Sequence, residues 1–260
     1  MPAKRGRVIS VNPEQLHFWM MAFIRAGGLL AMTPVFSGKN IPIPVRIAIA
    51  AFLAYAAGGF VKVAAPVPAD MLALVLGSFH ELMTGLCMGL AVRLVFYAIE
   101  IAGQIISTEM GLVLSSQLDP VSQNSSTSIG TALFYLGSLL FLLSGAHHAM
   151  FAAFLRSFAL SPPGSLGAGR SAGEVFVQSS GSIFLIAVQM AAPILATNFV
   201  VTLSFAILGK AAPSMNVFSE SFAARILAGL ALLGLTLGLT AQLVLSHFQN
   251  VPELMLRLIP

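Results

Sequence analysis

Three stretches of this 260-residue chain contain no Asp, Glu, Lys or Arg: 120–155, 175–209 and 226–252, which are 36, 35 and 27 residues long by their end numbers. A helix needs about 20 mainly apolar residues to cross a bilayer, so each stretch is long enough to span one. Only 8% of the chain is charged and 57% is hydrophobic, against about 25% charged in a soluble domain. That balance excludes a disordered chain and a disulfide-stapled secreted module. The apolar runs fall near 15–33, 44–64, 71–114, 129–160, 176–209 and 222–249. They are longer than the strands of a membrane barrel and lack two-residue alternation. The expected class is an all-α membrane protein, with one domain over 1–260.

The run lengths constrain the architecture further. Thirty-five helical residues reach roughly 50 Å, whereas the hydrocarbon core is about 30 Å thick. Some runs must therefore break, bend or protrude, and Pro193 is the expected break in the fifth because it lacks a backbone donor. The third run embeds Glu81, Arg93, Glu100 and Glu109, which are costly against lipid and call for protein or water around them. Thirteen basic residues against nine acidic give a formal charge of +4, but they are scattered, so nucleic acid is not the expected partner. Cys87 is the single cysteine, which excludes an internal disulfide. The basic start at Lys4, Arg5 and Arg7 is read as retained, with no small-residue cleavage site after it.

Polar groups inside membrane segments are functional candidates, so catalysis is tested first. His80-Glu81 begins the zinc pattern H-E-x-x-H, but Thr84 stands where the second histidine belongs. His147 and His148 are adjacent and diverge by about 100° on a helix, which prevents both from holding one metal. Ser144-Gly145 resembles the end of an intramembrane serine-protease motif without its first glycine. No enzyme, metal or cofactor is expected.

Packing features are better defined. Glu81, Gly85, Gly89 and Arg93 recur every four residues and centre on a G-x-x-x-G groove that admits a close helix, from this chain or another. Gly234 and Gly238 repeat it. Arg93 and Glu100 lie about 10 Å apart along the axis and each need their own partner. The stretch from Met110 to Ser128 is polar, small and nearly uncharged, and its residues favour turns over helix. It is either an exposed loop or a segment that obstructs a conduit, since irregular backbone at membrane depth must be buried in protein or line a cavity.

The order of several short motifs resembles the FliR/SctT family of type III secretion export-apparatus proteins. They are Arg25, Thr33-Pro34-Val35-Phe36, Ile41-Pro42, Val45-Arg46-Ile47, Glu81, Gly85, Gly89, Gly103-Gln104, Met110-Gly111 and Asp119-Pro120. Phe141, Gly145, His147, Ser157-Phe158, Ala192-Pro193 and the run Lys210-Ala211-Ala212-Pro213-Ser214-Met215-Asn216-Val217-Phe218 follow. Lys210, Ser214 and Glu109 depart from the usual family residues.

The resemblance implies a non-enzymatic core subunit of the flagellar export gate in the bacterial inner (cytoplasmic) membrane, at the basal body. Its fold would be long broken helices and hairpins, a FliP-like part followed by a FliQ-like hairpin. Its partners would be FliP and FliQ homologues, FlhA and FlhB homologues, and unfolded export substrates. The central loop, carrying Met110, Gly111, Ser115, Ser116, Gln117, Asp119 and Pro120, would contribute to a closing plug. Glu81, Gly85, Gly89, Arg93, Glu100 and Glu109 would supply helix packing and buried charge. The alternatives are the injectisome paralogue of the same gate and a stand-alone secondary transporter.

Overall fold

A computed structural model describes residues 12–38, 41–60, 67–68, 70–113, 127–164, 171–212, 214 and 216–259, with the side chains of 171, 172 and 218 excepted. The described residues are helical and contain no strand. Helix α1 spans Pro13–Met32, α2 Pro34–Ser37, α3 Ile43–Phe60 and α4 Met71–Glu109. They are followed by α5 Ser128–Leu143, α6 Ala146–Leu160, α7 Ser171–Ala211 and α8 Val217–Arg257. Four of these, α3, α4, α7 and α8, are long and apolar enough to cross a membrane, and α5 with α6 makes a fifth if that broken pair counts as one span.

Local chemistry sets the helix ends. The Glu14 amide donates to Asn12 Oδ1 at 3.1 Å, Pro13 occupies the first helical position and Glu14 lies in the first turn of α1, where its charge complements the helix dipole. The helix stops at Thr33 because Pro34 disfavours helical backbone in the residue before it; the Thr33 amide and hydroxyl both donate to the Leu29 carbonyl, at 3.1 and 2.8 Å. Thr127 caps α5, accepting from the Gly130 amide at 3.2 Å.

Two differences from the sequence expectation stand out. The apolar run near 129–160 is two helices, not one. Gly145 adopts φ 73°, a left-handed conformation that ends α5 after Ser144 and that an L side chain rarely tolerates. Pro193, in contrast, does not end its helix: α7 continues through it. Inside an apolar helix, neighbouring groups and small local adjustments absorb the missing donor.

The chain forms two compact units. The first is drawn from within Met1–Ala91, Ala149–Gly173 and Pro252–Pro260, and the second from within Val92–His148 and Glu174–Val251. In the first unit α1 packs on α3, with Trp19 and Tyr55 ring centroids 5.9 Å apart; Gly58 makes the approach possible, since a Cβ there would collide with the Trp19 indole. Phe18 and Phe154 both meet Phe158, at 5.4 and 5.2 Å. The second unit is centred on Phe96, whose ring lies 5.5 Å from Phe134, 6.1 Å from Phe141 and 5.5 Å from Phe248. Tilted and edge-on pairs of this kind add to the area that the rings bury.

Candidate functional site

Helix α1 buries Phe18, Met21, Ala22, Arg25, Ala26 and Leu29, a stripe at three- and four-residue spacing that carries Arg25 into the core by periodicity alone. Glu81 on α4 and Ser157 on α6 are equally inaccessible. Arg25 Nε donates to Glu81 Oε2 at 2.6 Å and Nη2 to Oε1 at 2.9 Å, a two-pronged ion pair. Arg25 Nη1 donates to Ser157 Oγ at 2.8 Å, and Nη2 also donates to the Ser161 carbonyl at 2.9 Å. The Ser157 hydroxyl donates in turn to the Phe154 carbonyl at 2.6 Å.

The carboxylate accepts a further bond from the Gly164 amide at 3.2 Å, where φ is 77°. The guanidinium carbon also lies 4.2 Å from the centroid of Phe158, in cation–π range. Charge removed from water is costly unless paired and hydrogen-bonded, and here both partners are. The node ties α1, α4, α6 and the turn after α6 at one point.

Glycines let the backbones come close enough to build it. A Cβ on Gly85 would collide with the Arg25 carbonyl, one on Gly89 would sit 2.6 Å from the Leu29 carbonyl oxygen, and one on Gly28 2.8 Å from that of Leu82. The groove on α4 is therefore filled by α1 of the same chain. Gly234 and Gly238 on α8 have no atom within 4 Å of such a Cβ, so nothing in the described chain occupies that second groove.

The rest of α4 lies in the second unit. Arg93 Nε donates to the Tyr97 hydroxyl at 2.7 Å, with the guanidinium 5.0 Å from the ring centroid. Glu100 lines a cleft of about 320 Å³ with Gln104, Thr127, Gly130, Thr131, Phe134 and Tyr135. The cleft exists because α4 and α5 touch at glycines: a Cβ on Gly103 would overlap the Gly130 backbone. Glu109 is partly exposed at the end of α4. Beyond it Met110 is fully buried and lies against Gly229, where a Cβ would come within 2.7 Å of the methionine. Gly111, at φ 76°, passes over the Phe222 ring. Ser115, Ser116, Gln117, Asp119 and Pro120 lie outside the described residues.

Most residues of the incomplete catalytic motifs have other engagements. Glu81 is held by Arg25, the Thr84 hydroxyl donates to the His80 carbonyl at 2.9 Å, and the Ser144 hydroxyl reaches the Phe141 carbonyl at 3.5 Å. The His147 and His148 rings, expected to diverge on a helix, instead lie together with centroids 3.9 Å apart. Among the described residues no group of three His, Cys, Asp or Glu side chains could hold a metal.

Sequence reasoning named Arg25 and Glu81 separately and did not pair them, and it missed the roles of Ser157, the Ser161 carbonyl and Gly164. The available signal was two opposite charges set deep in apolar stretches, Arg25 in α1 and Glu81 in α4, for which a mutual partner is the cheapest solution.

Long apolar helices with exposed apolar side chains among the described residues, and a buried ion pair, define the class as an all-helical membrane protein. Residues 16–251 match the model of the bacterial export proteins, family 1. The chain belongs to that family and is a FliR-family export protein of type III secretion and flagellar biosynthesis. It is 26% identical to the flagellar biosynthetic protein FliR of Caulobacter vibrioides over 92% of this chain and 96% of that one. It is 30% identical to FliR of Bacillus subtilis over 77% and 78%. It is also 30% identical to the Yop proteins translocation protein T of Yersinia pestis, over 57% and 58%.

Proposed function

We propose that this chain is a non-catalytic core subunit of the flagellar export gate in the bacterial inner membrane, joining FliP- and FliQ-like subunits around the passage taken by unfolded export substrates. One observation carries the reading. Helices α7 and α8 are 41 residues each, about 60 Å long at 1.5 Å per residue and so about twice the hydrocarbon thickness. On α7 the exposed apolar side chains run from Phe176 and Val177 through Phe184, Phe199 and Leu203 to Ile207 and Leu208, about 48 Å at 1.5 Å per residue, and on α8 they include Leu227, Leu235 and Leu239. A hydrocarbon layer about 30 Å thick covers only part of that apolar length on α7, and the remainder is left to neighbouring subunits of the machinery. FlhA- and FlhB-like proteins are the further neighbours of this reading, and chain 1–260 acts in it as one export-gate domain.

The flagellar setting is favoured over the injectisome by coverage, because the FliR relatives match this chain over more of its length than the Yop protein does. Within the gate, the polar segment at 104–123, beginning at Gln104 and including Met110 and Gly111, contributes to the plug that closes the passage. A segment with few charges can shift without breaking costly ion pairs. Deleting residues 115–123 tests this reading: an assembled gate with the deletion should leak ions or small solutes across the membrane. Permeability equal to the unmodified gate, in a mutant that still assembles, contradicts the plug role.

A further inference from the structure

The cleft between α4 and α5 holds a carboxylate whose charge no described residue neutralises by contact. Glu100 is partly buried, and no hydrogen bond or ion pair reaches it from the described residues. Arg93 is within electrostatic range, but its Nε is committed to Tyr97, and it lies seven residues away, about 10 Å along the axis. The other lining groups are hydrogen-bonding or aromatic: Gln104 on α4, and Thr127, Thr131, Phe134 and Tyr135 from the start of α5.

A carboxylate in a membrane-crossing helix is normally turned toward protein or water and paired. The cleft, about 320 Å³, has the dimensions of a pocket for a small group or a single long side chain rather than for a whole helix. Its walls suit a cationic side chain. The hydroxyls and the Gln104 amide oxygen can accept its N–H donors, the Tyr135 ring offers a π face for the cation, and Glu100 supplies the opposite charge.

We infer that the Glu100 cleft is a socket for one arginine or lysine side chain of a neighbouring subunit in the export assembly. The inference rests on the proposed function, because it needs an assembly to supply the neighbour. It identifies the contact by charge complementarity: an unpaired acid on this chain, met by a base that another chain inserts between α4 and α5.

The test uses the full chain in its native membrane, tagged and purified with whatever subunits accompany it. A photoreactive benzoyl-phenylalanine replaces Tyr135, which is 59% exposed, and the adduct is mapped by mass spectrometry with Glu100 intact and in Glu100→Gln. The expected result is a single adduct on another subunit, within a few residues of an Arg or Lys. In Glu100→Gln its yield should fall at least about tenfold, the change that 1.4 kcal/mol produces. Glu100→Lys should block assembly, and an acidic substitution at the mapped basic residue should restore it.

Adducts confined to this chain or to lipid, in a preparation where the other subunits co-purify, overturn the socket and leave the proposed function standing. An unchanged adduct yield in Glu100→Gln does the same. Failure of any subunit to accompany the unmodified chain removes both.

Discussion

Arg25 and Glu81 are 56 residues apart in sequence and form a two-pronged ion pair with no solvent exposure on either side chain. Ser157 and the Ser161 carbonyl take two further bonds, so four of the five guanidinium donors are engaged and the pair is hydrogen-bonded as well as buried. Removing one partner strands a charge, whereas removing both does not. Arg25→Met or Glu81→Leu alone should therefore destabilise the detergent-solubilised protein by about 3–5 kcal/mol. The double variant Arg25→Met/Glu81→Leu should lose less than the sum of the single changes. Thermal unfolding of the four proteins as a double-mutant cycle reads the coupling directly, and strictly additive losses would refute the stated role of the node.

Glycine spacing on α4 matters because backbone replaces side chain at the α1 contact. Gly85→Ala should lower stability by more than about 1 kcal/mol, since the added methyl collides with the Arg25 carbonyl. Gly234→Ala meets nothing among the described residues and should leave the stability of the isolated protein unchanged or slightly raised through helix propensity. Equal losses at the two sites, measured by thermal unfolding, would contradict the packing described here.

Much of this architecture can be read from the residues. The apolar runs are long because whole helices must satisfy their backbones inside oil, and so the helical segments announce themselves. Short-range punctuation is harder. Pro193 looks like a break and is not, because α7 tolerates it, while the actual break at Gly145 depends on one left-handed residue that composition does not distinguish from the other glycines. The site is harder still. Arg25 meets Glu81 only because α1 and α4 cross where Gly28, Gly85 and Gly89 thin both surfaces, and no local pattern in either segment encodes the identity of the partner.

Gly111 lies in the turn that follows α4, and its φ of 76° is the left-handed region that penalises a side chain. A Cβ there would also overlap the Phe222 ring. Gly111→Ala should cost about 1–3 kcal/mol from the backbone alone, and Phe222→Ala in the same background should recover only the steric part. Unfolding midpoints of the two variants separate the contributions, and a neutral Gly111→Ala would exclude the positive-φ turn.

Asn198 is 1% exposed in α7, and among the described residues neither its Oδ1 nor its Nδ2 has a hydrogen-bond partner. An unsatisfied buried amide carries a desolvation penalty of about 1–3 kcal/mol. Asn198→Leu should accordingly raise the stability of the isolated chain by a comparable amount, read as a higher unfolding temperature. A clear decrease would mean that the amide is bonded in the protein.

Export-gate membership is tested most directly by the company the full chain keeps when it is withdrawn from its own membrane. The tagged protein is extracted in mild detergent, and the subunits that leave the column with it are identified and counted. FliP- and FliQ-like proteins in fixed ratio to the tagged chain are the expected result. A chain that emerges alone and folded, with its lipid-length and longer helices equally content in detergent, would contradict it.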